Sequence, residues 1–181
     1  MKKSAFIILL CCIVLSAFAG CGNQTAAQAQ TTAIGNPWSD WDTMEEAEAA
    51  IGFSFDLSEV IDNSYHAVRF RTLNKDLMEV VYRDEDYEVC VRKQKGERQD
   101  ISGDYNQYET RTETNQNEAT ITSYSNANNP AVKLLISYKG YSWSLVASNG
   151  FREGSCEDFV REILEQKLQK HPLPLGGGCF L

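Results

Sequence analysis

The sequence predicts an α+β domain: an antiparallel meander sheet of about six to seven strands, with a short helix before it and a longer one after it. Three observations predict it. Apolar residues recur with a period of two between residues 65 and 148, interrupted by short polar turns. Helical spacing is confined to 44–51 and to the stretch after Ser155. No helical stretch of about 10–15 residues separates the strand-like runs, which disfavours parallel βαβ units.

Taken in order, Asp42-Thr43-Met44-Glu45 reads as a capping box, and Met44 to Ile51 follows with three Ala and three Glu before a stop at Gly52. Acids at the first turn suit the positive end of a helix. Phe53, Phe55 and Leu57 then alternate towards the sheet. From residue 65, His66, Val68 and Phe70 are assigned to one face and Arg69 and Arg71 to the other, as in a half-buried strand. Asn74-Lys75-Asp76 turns the chain into 77–83, and Asp84-Glu85-Asp86 turns it into 87–93. The Thr-rich runs 107–114 and 118–125 read as a hairpin about Asn115-Gln116-Asn117.

The clearest element is 131–148. A two-residue turn at Lys139-Gly140 sets Tyr138 opposite Tyr141, Ile136 opposite Trp143 and Leu134 opposite Leu145, with Val132 and Ala147 on the same face. Ser137, Ser142 and Ser144 fall on the other face, which is expected to be the wetter one. Ser155 is expected to cap the last helix, with Asp158 at the capping-box position and an apolar stripe of Phe159, Val160, Ile163, Leu164 and Leu168. Pro172 and Pro174 end it, and Gly176-Gly177-Gly178 cannot pack.

The N-terminus has another character. Met1-Lys2-Lys3 precedes an uncharged, mostly apolar run from Ala5 to Ala19, too short for a membrane span of about 20 residues but suited to the core of an export signal. The run ends in Ala17-Phe18-Ala19-Gly20-Cys21, which resembles the lipobox of bacterial lipoproteins. That resemblance implies diacylglyceryl attachment to Cys21 and cleavage before it. Phe18 stands where lipoboxes usually carry Leu, Val or Ile, and Ala17-Phe18-Ala19 also reads as an ordinary cleavage site that would release a soluble protein starting at Gly20. The reading favoured is the anchor, since two acyl chains hold durably where one is marginal. The organisation is therefore a signal peptide (1–20), a small, polar tether (21–35), one α+β domain (36–170) and a C-terminal tail (171–181).

Charge and composition exclude several classes. The chain of 181 residues carries −8, and removing residues 1–20 deletes two lysines and no acids, leaving −10. Such an acidic body is no partner for a nucleic-acid backbone and stands off an anionic membrane surface. Six cysteines occur. Cys11 and Cys12 lie in the signal, and Cys21 is the lipid site, leaving Cys90, Cys156 and Cys179. An exported location permits a Cys90–Cys156 bridge, weighed against both being small buried apolar residues. No C-x-x-C, H-E-x-x-H, G-x-S-x-G or phosphate-cradling glycine motif occurs, so no catalytic residue, metal or cofactor is assigned.

The loop Asp100-Ile101-Ser102-Gly103-Asp104-Tyr105 gathers two carboxylates, a hydroxyl and a glycine. Asp100, Ser102 and Asp104 form a candidate ligand or cation loop, set against a loop whose Asp and Ser side chains bond their own backbone. Asp84-Glu85-Asp86 is a weaker calcium candidate than a solvated hairpin tip. Trp38 and Trp41 are read as a stacking platform or, preferably, as packing over a sheet end. His66 is read as a sheet histidine, and His171 falls in the tail.

Asn36-Pro37-Trp38, the Glu/Ala helix closing on Gly52-Phe53, the Asp100–Tyr105 loop and Gly140-Tyr141-Ser142-Trp143-Ser144-Leu145 together resemble a domain of unknown function. That domain is common in lipoproteins and anti-sigma-factor-like membrane proteins of Gram-positive bacteria. The resemblance covers roughly residues 36–168 and implies an extracytoplasmic domain on the outer face of the cell membrane, with no catalytic residue to carry over. The expectation is a non-catalytic, membrane-anchored module that binds an envelope protein or a small ligand. The alternative is an envelope enzyme or cation-dependent hydrolase using Asp100 and Asp104.

Overall fold

The structure is a computed structural model that describes residues 36–165. The signal peptide, Cys21, the tether, Leu168, Cys179 and the C-terminal tail lie outside the described residues. Within them, nine strands form one antiparallel sheet and two helices cover one face of it. The elements are β1 (Trp38–Trp41), α1 (Met44–Ile51), β2 (Val60–Ile61), β3 (Tyr65–Leu73), β4 (Leu77–Asp84), β5 (Tyr87–Lys95), β6 (Thr110–Gln116), β7 (Ala119–Ser125), β8 (Val132–Tyr138), β9 (Tyr141–Ala147) and α2 (Ser155–Glu165). The class is as expected, with more strands than expected. β1 and β2 have four and two residues, too short to show a period.

The order β1-β3-β4-β5-β9-β8-β7-β6, with β2 pairing β3, corrects the simple meander. β5 pairs with β9, and β6 lies at the far edge. Composition explains the exchange. β9 is buried on both faces at Ser142, Trp143, Ser144 and Leu145 and must sit centrally, whereas all seven residues of β6 are exposed and suit an edge.

Local chemistry sets the boundaries. Thr43, one residue beyond the expected cap, accepts from the Glu46 N–H at 3.2 Å, and Gly52 closes α1 in the left-handed region at φ 73°. Lys139 and Gly140, at φ 50° and 80°, make the tight turn that fixes the β8–β9 register as expected: Tyr138 with Tyr141, Ile136 with Trp143 and Leu134 with Leu145. Ser155 does not cap α2. It is fully buried inside the first turn and donates to Asp62 at 3.2 Å, tying the helix to the β2–β3 turn.

The helix-covered face holds the core: Phe55, Tyr65, Tyr82, Val89, Val91, Trp143, Leu145, Phe159 and Ile163 are fully buried. Each large side chain there stabilises by about 1.5–3 kcal/mol. Phe159 meets Tyr65 and Tyr82 edge-on at 5.4 and 5.3 Å, the arrangement that ring quadrupoles favour. Lys93 is a buried charged residue on this face, at 1% exposure. Its ammonium lies over Tyr141 and Trp143, donates to the Ser54 carbonyl at 2.7 Å and pairs with Asp56. Burial pulls its pKa down against the raising effect of Asp56.

Two face assignments fail. The β3–β4 register shifts between Ala67 and Arg69, leaving Val68 unpaired in a bulge, so His66 and Val68 are exposed while Phe70 is buried. The face of Ser142 and Ser144 is not the wet one, since they are 1% and 0% exposed beneath the 96–108 segment. Of the two readings of Cys90 and Cys156, the structure shows the unbridged one. Cys156, in the first turn of α2, packs on the core, whereas Cys90, between core-facing Val89 and Val91, points to the opposite face beside Glu79.

Candidate functional site

The second face is built on a row that crosses the sheet. Register places Asp40, Arg71, Glu79, Arg92, Ser144, Leu135, Thr122 and Glu113 side by side on successive strands. Strand alternation alone puts them on one face, so the charge sequence minus, plus, minus, plus is a product of pairing.

Glu79 is the centre of that row and is fully buried. Arg71 Nε donates to Oε1 at 2.5 Å, Arg92 Nε donates to Oε2 at 2.7 Å, and Arg69 Nη2 lies 3.5 Å from Oε1. Burial alone would raise the carboxyl pKa, but the Arg71 and Arg92 hydrogen bonds outweigh it and hold the group below its ordinary value. Trp38 closes the assembly by stacking on Arg71 at 4.1 Å and Arg92 at 5.4 Å. Trp41 turns to the other face and donates its indole N–H to Thr72 at 3.0 Å, so the two tryptophans form no joint platform.

The 96–108 segment straps this face. Ser142 Oγ donates to the Gly96 carbonyl at 2.8 Å and accepts from the Gln99 N–H at 3.0 Å, while Arg92 Nη1 donates to the Ile101 carbonyl at 3.0 Å. Gly103, at φ 62°, stands so close that a Cβ would lie 2.2 Å from Arg92 Nη1. The expected loop residues are brought together as a chain of turns. Asp100 Oδ1 accepts from the Ser102 N–H and hydroxyl, Ser102 Oγ accepts from the Asp104 N–H, and Asp104 accepts from Asn106 and from the Tyr108 hydroxyl. Lys133, 6% exposed, donates to Asp100 Oδ2 at 3.2 Å and lies over Tyr124 at 4.7 Å. Burial raises the Asp100 pKa, but the Ser102 bonds and Lys133 reverse this to a net lowering. Both carboxylates are thus engaged in hydrogen bonds within the strap itself.

Beside the strap a cleft of about 320 Å³ opens onto β6, β7 and β8. It is bordered by Arg98, Asp100, Arg111, Glu113, Thr122 and Tyr124. Arg98 is exposed and held in the left-handed region at φ 58°. The sequence reading missed this cleft, because its walls come from four separate segments and the Thr-rich hairpin looked merely polar. Further along the strap, Tyr105 is 95% exposed. The turn after β4 serves the fold: Asp84 accepts from Arg152 at 3.0 Å. A second groove, about 590 Å³ between α1 and α2, is acidic, but Glu48 and Glu162 there accept the backbone N–H groups of Phe55 and Ser58. No group of three or more His, Cys, Asp or Glu suited to a metal ion occurs among the described residues.

No family model, no curated protein and no solved structure matches this chain.

Proposed function

We propose that this chain is a non-catalytic binding module, exported, anchored through Cys21 to the outer face of the cell membrane, and built to hold an envelope protein or small polar ligand at the strapped face. The observation that carries the reading is the cleft beside the strap, where Arg98 and Arg111 face Asp100, Glu113, Thr122 and the Tyr124 hydroxyl. Concave, mixed-charge walls with fixed donors and acceptors suit recognition of a polar group. Exposed Tyr105 adds an aromatic contact of the kind that anchors interfaces. The lipobox-like Ala19-Gly20-Cys21 supports the anchor, and the acidic body supports a domain that stands off the bilayer. The alternative, a hydrolase using Asp100 and Asp104, is disfavoured because both carboxylates are engaged within the strap.

A photo-reactive aromatic placed at Tyr105 in living cells tests the binding reading. One recurrent envelope adduct is expected, lost when Arg98→Ala is added while the unfolding midpoint is unchanged. Adducts that do not recur, or that ignore Arg98, would remove the cleft from the account. Mass spectrometry of the N-terminal peptide tests the anchor separately: diacylglyceryl-Cys21 is expected, and an unmodified Gly20 N-terminus sinks it.

A further inference from the structure

We propose that β6 is a homodimer interface, through which two copies of this chain join their sheets edge to edge. Among the described residues β6 ends the sheet with one partner, β7, so its outer edge presents backbone groups unpaired by them over seven residues. Proteins usually blunt such an edge with proline, a bulge, extreme shortness or side chains of like charge. Thr110–Gln116 has no proline and no register shift against β7, and its two charges, Arg111 and Glu113, are of opposite sign, so they repel a second copy only in some registers. The opposite edge strand, β1, has only four residues.

The occupant is set by the sequence of the strand. Two copies related by a two-fold axis normal to the sheet pair antiparallel, and residues directly opposite must share a face, so the axis passes through a residue. An axis at Arg111 sets Arg111 against itself, and one at Glu113 sets Glu113 against itself. An axis at Thr112 sets Arg111 against the second copy's Glu113 twice, with Thr110 against Thr114 twice and Thr112 against its own copy. The run Thr110-Arg111-Thr112-Glu113-Thr114 is thus self-complementary in one register and self-repelling in the two adjacent symmetric ones. Arg111 and Glu113, 58% and 47% exposed, already lie 2.9 Å apart in one chain, so the paired edges would close a four-charge cluster. All seven β6 positions are exposed, so both faces of the strand are free to extend into a continuous sheet with the helices of both copies on one side.

Sedimentation equilibrium of the full chain in density-matched detergent, with cross-linking through Thr112→Cys, tests this. A monomer–dimer equilibrium is expected, with a 112-to-112 disulfide under mild oxidation, because opposed antiparallel residues lie within disulfide reach. Arg111→Glu alone and Glu113→Arg alone should each weaken association by about tenfold or more, and the double exchange should restore it. Unchanged circular dichroism, with unfolding midpoints compared at dilutions where every variant is monomeric, separates these effects from misfolding. A wild-type chain that stays monomeric, a Thr112→Cys variant that does not cross-link, or a double exchange that fails to rescue would each overturn the interface.

Discussion

Glu79 shows how one residue organises the strapped face. It is a fully buried carboxylate whose charge is met by Arg71 and Arg92, with Arg69 at the rim. Breaking one side of a buried charge cluster costs more than the intact cluster gains, because the remaining charges are left unpaired out of water. Glu79→Gln is therefore expected to destabilise the domain by roughly 3 kcal/mol, measured by chemical denaturation at pH 7. The pH dependence has a definite sign. Since the folded pKa lies below the unfolded value, the unfolded chain binds more protons as the carboxyl titrates. Its stabilisation is full above the unfolded value and is lost as pH falls through the folded one. Wild type should lose stability on acidification below about pH 4.3, with a shallower slope in Glu79→Gln. An identical slope in the two proteins would contradict the assignment.

At the scale of elements, the strap is the feature that turns half a sandwich into a closed body. The helices cover one face by apolar burial, whereas the strap covers the other by hydrogen bonds to Ser142, Arg92 and Lys133. Its tightest point is Gly103, where the positive φ and the nearby Arg92 guanidinium both exclude a side chain. That guanidinium cannot simply swing aside, being held by Glu79 and the Ile101 carbonyl. Gly103→Ala should therefore cost roughly 1–3 kcal/mol and raise amide exchange across 99–104, read by hydrogen exchange with mass spectrometry. The β8–β9 hairpin was legible from sequence, because turn residues and cross-strand pairs are local: Lys139-Gly140 and its aromatic pairs stand where expected. The turn expected at Asn115-Gln116-Asn117 falls instead at Asn117 and Glu118, both at positive φ, with Asn115 and Gln116 paired inside β6, since in an all-polar run no apolar residue marks where the strand ends. The half-buried face of β3 was not legible, because the bulge at Val68 breaks the alternation without any mark in composition.

For the whole molecule, the sheet separates two environments, and the cysteines report on it. Burial and the neighbouring Glu79 push the Cys90 thiol up to about 12, while burial and Glu157 push Cys156 up to about 11. Thiolates are the reactive form, so both should be labelled slowly at pH 8, on opening of the fold. With the sheet between them, the unfolding midpoint is expected to be the same with and without reductant, by thermal scan. A reductant-sensitive midpoint would mean that the two thiols reach each other after all.

Composition, turn chemistry and periodicity determined the class of fold, the β8–β9 register and both helices, because each is written within a few consecutive residues. Tertiary structure alone decided that β5 pairs with β9, that Trp38 and Trp41 part to opposite faces, and that Asp40, Arg71, Glu79 and Arg92 stand in one row. It also decided that a polar strap buries Ser142 and Ser144 and leaves a cleft beside Arg98. Those features join residues tens of positions apart. Their energy lies in paired charges and hydrogen bonds between strands, which no local pattern of apolar and polar residues records.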